Sequence, residues 1–134
     1  MTMQRYLHPA LVCAAVVFAS ACGSSTPTTP TAASTSPVTE TWTSIVGPGG
    51  TASRSFATTQ AGTVTVTLTS SDAPLGVGVG VPRNVAGCRL TVAQVDGAGL
   101  SVSIPADAGS YCVEVFDDGS VVKQAAFSVQ IVHP

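Results

Sequence analysis

Charge is scarce in this sequence. Asp, Glu, Lys and Arg make up 9% of 134 residues, and five cations against seven anions leave a net charge of −2. The cations are scattered singly, so no basic stripe exists to neutralise a phosphate backbone, and nucleic-acid binding is disfavoured. Outside the first residues there is no polybasic patch to hold the chain on anionic lipid. Histidine occurs only as His8 and His133. His8 falls in a segment expected to be removed, and His133, as the penultimate residue, is expected to be exposed or mobile. That leaves no base for a Ser-His-Asp or Cys-His arrangement. Asp72, Asp96, Asp107, Asp117 and Asp118 lie in turn segments within two residues of Gly, Pro or Ser, where Asp bonds its own backbone. They do not read as the paired acids of a glycosidase. Asp117 and Asp118, helped by Asp72 or Asp107, come nearest to a calcium ligand set but match no EF-hand spacing. The expectation is no metal, no cofactor and no enzymatic activity.

An apolar run long enough to span a bilayer comfortably, about 20 residues, is also missing. What stands in its place is short. Arg5 precedes an apolar stretch centred on Cys13, Ala14, Ala15, Val16, Val17 and Phe18, and Ala19-Ser20-Ala21 supplies small residues for a peptidase groove. Residues 1–21 therefore read as a cleavable signal peptide. Cys22 follows directly. The arrangement resembles the bacterial lipobox, with Ala19 standing where Leu is usual. The resemblance implies a diacylglycerol thioether on Cys22, a mature N-terminus there, and attachment to the membrane through that anchor. Several acyl chains hold a protein firmly, since each buried methylene contributes about 0.8 kcal/mol. From Gly23 to Pro37 the chain is Ser, Thr, Pro, Gly and Ala, without charge or large apolar groups. Nothing in it repays the entropy of ordering the backbone, so residues 22–39 read as lipidated cysteine plus spacer.

From Glu40 the hydrophobic period is two. Strands are expected at 40–46, 51–58, 63–70, 75–81, 88–95, 100–104, 110–116 and 122–132. The clearest is the third, with Val64, Val66 and Leu68 on one face and Thr63, Thr65, Thr67 and Thr69 on the other. That pattern places one face on a core and one in water. In the fourth, Leu75, Val77, Val79 and Val81 alternate with Gly76, Gly78 and Gly80. A glycine face implies close backbone approach, or a flat surface kept bare for a partner. Gly47-Pro48-Gly49-Gly50 is a strong turn, Asp96-Gly97 a hairpin signal, and 117–120 a hairpin tip. Eight short strands with regular turns predict an all-β fold for residues 40–134: a small antiparallel β-sandwich, jelly-roll-like, with a closed barrel as the alternative. The absence of βαβ spacing excludes an α/β enzyme fold.

Cys13 is expected to be lost with the signal, and Cys22 to carry lipid as the lipobox resemblance implies or to be left as a free thiol by ordinary signal-peptidase cleavage; Cys88 and Cys112 remain. Export puts them in an oxidising compartment, where a disulfide is expected. Cys112 is out of phase with Tyr111, Val113 and Val115, which points to a bridge at a sheet margin or across a loop. Two thiols are too few for structural zinc. Trp42 and Phe116 are the candidate residues for a ligand platform, with Phe116 on the face opposite the core set.

Several stretches resemble the bacterial pre-peptidase C-terminal domain. They are Phe56, then Ala61-Gly62-Thr63-Val64-Thr65-Val66, then Gly109-Ser110-Tyr111-Cys112-Val113-Glu114-Val115, then the alternating strand from Phe127 to Ile131. The resemblance covers most of 40–132 and rests on core and turn residues, so it implies a fold rather than an activity. It implies a β-sandwich used for adhesion, secretion or contact with polymeric substrates. The family's second acidic residue is absent from Asp72-Ala73-Pro74-Leu75.

These readings converge on a non-enzymatic exported lipoprotein, placed at the outer membrane, cell surface or periplasm. Its domain is expected to make weak contact with a polysaccharide or other polymer. The alternative is a structural, envelope-associated protein-interaction module working through the glycine face.

Overall fold

The computed structural model describes residues 36–134. The signal segment, Cys22 and most of the spacer lie outside the described residues. Eight strands follow one another: β1 (Val38–Val46), β2 (Thr51–Thr58), β3 (Gly62–Ser71), β4 (Gly76–Pro82), β5 (Cys88–Gln94), β6 (Ser101–Ala106), β7 (Gly109–Phe116) and β8 (Ala125–His133). They form two four-stranded antiparallel sheets, ordered β1-β8-β3-β6 and β2-β7-β4-β5. Only β4 and β5 are both consecutive and adjacent, so every other connection crosses between the sheets. This is the strand order of a jelly roll, the two-sheet solution that folds a β-ribbon over on itself.

The alternation explains the layers. Val64, Val66 and Leu68 of β3, Val77 and Val79 of β4, Val113 and Val115 of β7, and Val129 and Ile131 of β8 are fully buried between the sheets. Leu75 and Phe127 join them, and Trp42, Tyr111 and Val92 pack around the margin. The Tyr111 hydroxyl donates to the Asp107 carbonyl (3.2 Å) and accepts from the Asp107 amide (3.0 Å). That bond ties the entry of β7 back to the preceding turn, as a tyrosine corner does.

Several local expectations are corrected. Asp96-Gly97 is no hairpin, because β5 and β6 lie in different sheets. Asp96 and Gly97 both have positive φ, and the Gly97 amide bonds the Leu75 carbonyl at 3.3 Å in a crossover. The 117–120 turn is likewise a crossover, between β7 and β8. β8 starts at Ala125, not Val122, whose side chain is 91% exposed. β1 begins at Val38, two residues before the boundary expected at Glu40, because Val38 pairs with His133. His133 is therefore neither mobile nor exposed. It closes β8, is 5% exposed, and lies against the Phe56 ring at 5.2 Å.

Candidate functional site

The two candidate platform rings are not brought together. Trp42 belongs to β1 and meets Phe127 edge-to-face, with centroids 5.1 Å apart and planes at 83°. It fills the margin between the sheets. Phe116 ends β7 on the outer face of the other sheet, opposite Gly76. A Cβ at Gly76 would collide with that ring. Each aromatic is thus committed to its own packing contact, on different faces of the molecule.

The glycine face is occupied as well. Leu90 and Ala93 of β5 lie over Gly78, where a Cβ would stand 2.8 Å from Leu90 Cδ1 and 3.0 Å from Ala93 Cβ. The backbone of Arg89 lies over Gly80, closer than any Cβ would permit. The surface expected to receive a partner protein is covered by the chain's own β5 and β7. The register supplies the cause. Val79 pairs with Val92 and Gly80 with Leu90, so Thr91 is an extra residue in β5. This bulge reverses the inside-outside phase. Val92 stays with the core, and Leu90 and Cys88 turn to the outer face.

The bulge also explains the disulfide. Cys88 of β5 and Cys112 of β7 are separated by β4, yet their Cα atoms are 5.8 Å apart and the bridge is formed. Neighbouring strands are normally about 4.8 Å apart, so a next-but-one strand stands nearly twice as far away. β5 must curl over Gly80 to bring Cys88 within reach, and only a residue without a side chain leaves room. Both cysteines are buried, at 3% and 1% exposure. The Cys88 amide donates to Glu114 Oε2 at 3.1 Å, fixing the curl.

Titratable groups gather at two places. Glu40 accepts from Arg54 Nη2 at 2.7 Å through Oε2, and its Oε1 lies 3.3 Å from His133 Nε2. This cluster joins β1, β2 and β8 across the open side of the sandwich. Its Arg–Glu pair is partly solvated and so contributes little to stability. Asp117 is held differently. Its Oδ2 accepts from the Gly49 amide (2.8 Å), and its Oδ1 from the amides of Gly119 (2.8 Å), Ser120 (2.9 Å) and Val121 (3.0 Å). The Gly49 bond first, then the others, lowers its pKa below the usual carboxylate range. These oxygens face N–H donors. Among the described residues no cluster of three His, Cys, Asp or Glu side chains suits a metal ion. A groove of about 330 Å³ opens beside this turn, lined by Asp72, Ser120, Val122, Lys123 and Gln124 among others.

The remaining large surface is the outer face of the β1-β8-β3-β6 sheet. Pairing sets its side chains in rows across the strands. One row is Thr39–Val132–Thr65–Ser103, the next Thr41–Gln130–Thr67–Ser101, and a third begins Thr43–Ser128. No residue in these rows is charged. The hydroxyls bond one another: Thr65 Oγ1 to Ser103 Oγ at 2.9 Å, and Thr67 Oγ1 to Ser101 Oγ at 3.0 Å. Thr69 Oγ1 donates to the Ser128 carbonyl at 3.0 Å. Rows spaced about 7 Å along the strands and columns about 4.8 Å across them give a neutral grid. The solvent-facing threonines of β3 are legible from alternation. The matching Thr-x-Thr-x-Thr of β1 is visible in the sequence too, but its alignment with β3 through β8 needs the strand order.

No family model matches the chain, and no curated protein does. Among solved structures, the Yersinia pseudotuberculosis-derived mitogen is similar in fold, with a TM-score of 0.53 at 17% identity over 73% of this chain and 87% of that one. At that identity the likeness concerns the fold alone.

Proposed function

We propose that this chain is a non-enzymatic, exported lipoprotein whose sandwich makes weak, multipoint contact with a neutral polysaccharide of the cell envelope or surface. The observation that carries this reading is the uncharged hydroxyl grid of Thr39, Thr41, Thr65, Thr67, Ser101 and Ser103. A sugar chain presents hydroxyls and C–H patches in alternation, and threonine offers both a hydroxyl and a methyl group at one position. The absence of charge on the face avoids the desolvation cost of burying an ion against a neutral polymer. Acylation of Cys22 and a Ser/Thr/Pro spacer would hold the domain near the membrane while letting it reach the polymer. The sequence resemblance of most of 40–132 to pre-peptidase C-terminal domains implies the same use.

Co-sedimentation with insoluble envelope polysaccharide tests the reading. The wild-type chain is expected in the pellet, and Thr65→Glu/Thr67→Glu in the supernatant at unchanged thermal stability. Wild-type protein that stays in the supernatant, or a glutamate variant that pellets equally, overturns it.

A further inference from the structure

We propose that the edge of β1, unpaired among the described residues, is a self-association surface, on which a second copy of this chain adds its own β1 antiparallel about a two-fold axis at Trp42. Among the described residues four strands are edges: β1, β6, β2 and β5. Edges are normally blunted by shortness, proline, bulges or charge. β6 is short and contains Pro105. β5 is bulged at Thr91 and curled over its own sheet by the disulfide. β2 is built largely from Ala, Ser and Arg, which fit a pleated surface poorly. β1 is nine residues long and pairs with β8 in unbroken register. All its residues except Glu40 and Ser44 are Val, Thr, Trp or Ile, the best strand formers.

The strand is self-complementary, as an isologous interface requires. An axis at Trp42 overlaps all of Val38–Val46. Val38 then faces Val46 of the second copy, Thr39 faces Ile45, Glu40 faces Ser44, and Thr41 faces Thr43. Residues opposite one another share a face, as the pleat demands. The two carboxylates avoid each other, and Thr–Thr pairs across strands are favourable. Val38 and Ile45, 47% and 54% exposed, both gain cover. The result is one continuous eight-stranded sheet with the hydroxyl grid running across it. A single-strand seam is smaller than the roughly 1,000 Å² of a stable interface, so the dimer is a weak one. Self-association does not depend on the polymer reading.

The test uses the full chain carrying Cys22→Ser, which removes the acyl attachment point. Sedimentation velocity is followed from micromolar to millimolar concentration together with tryptophan emission. Trp42 is the only tryptophan, so its emission reports the seam directly. The mass is expected to rise from monomer to dimer, with Trp42 emission shifting over the same range. Thr43→Lys/Ile45→Lys places ammonium groups on exposed positions of the edge and is expected to stay monomeric at the wild-type thermal midpoint. A monomer throughout, a dimer whose Trp42 emission never changes, or a dimer that survives both lysines overturns the proposal. Polysaccharide binding is measured separately, so a dimer that fails to pellet contradicts only the polymer reading.

Discussion

The backbone of Arg89 occupies the space that a side chain at Gly80 would need. Through that contact a strand-edge bulge, a bare glycine and a disulfide spanning two strands become one device. Gly80→Ala forces β5 off β4 and pulls Cys88 away from Cys112. The expected cost is about 3 kcal/mol, at the upper end for overpacked sites. Gly47→Ala is the control, since nothing lies within 4 Å of its Cβ position and its φ is not positive. That control is expected to stay within about 0.5 kcal/mol of wild type in urea denaturation. Equal effects of the two substitutions would contradict the packing argument.

The disulfide closes a segment of 24 residues' separation in a small domain. Cys88→Ala/Cys112→Ala is expected to lower unfolding free energy by about 2–4 kcal/mol, with the fold retained at low temperature. Both cysteines are held in the bridge, so thiol reagents should detect neither in the chain without reductant. A double variant as stable as wild type would show that the curl of β5 is held by Glu114 and Leu90 alone.

Asp117 fastens the β7–β8 crossover to the Gly47-Pro48-Gly49-Gly50 turn. Its pKa is lowered in the folded state, chiefly by the Gly49 amide. Between the folded and unfolded pKa values the unfolded chain binds more protons, so stability rises with pH there. The contribution of the carboxylate is fully present above its ordinary value of 3.8 and is lost as pH falls through the lower folded value. Asp117→Asn should therefore be less stable than wild type at pH 7, and the gap should close in strong acid. A gap independent of pH would contradict the assigned bonds.

Much of the architecture is legible from alternation alone. Val64, Val66 and Leu68 against Thr63, Thr65 and Thr67 define β3 and its two faces, and the number of strands follows from turn chemistry, whereas their order within the sheets does not. Three features are not legible, each for a physical reason. A bulge adds one residue without changing composition, so alternation alone would put Cys88, Leu90 and Val92 on one face, whereas the shift at Thr91 turns Cys88 and Leu90 to the outer face. Crossover turns between sheets use the same Asp-Gly chemistry as hairpins, so Asp96-Gly97 does not reveal which strands it joins. His133 looks like a loose end, but partners far away in sequence, Val38 in the ladder and Phe56 beneath the ring, bury it. The platform residues show the same limit. Trp42 and Phe116 each carry a plausible side chain, but strand order places them on different sheets. The hydroxyl grid emerges only when β1, β8, β3 and β6 are laid side by side.

Backbone amide shifts recorded while a neutral oligosaccharide of envelope type is titrated into the protein test the central claim most directly. The account predicts that perturbations cluster on Thr39, Thr41, Thr65, Thr67, Ser101, Ser103 and Gln130, with the glycine-bearing strand silent. Shifts gathered instead around Asp72 and Lys123, or around Phe116, or no shifts at saturating sugar, would contradict it.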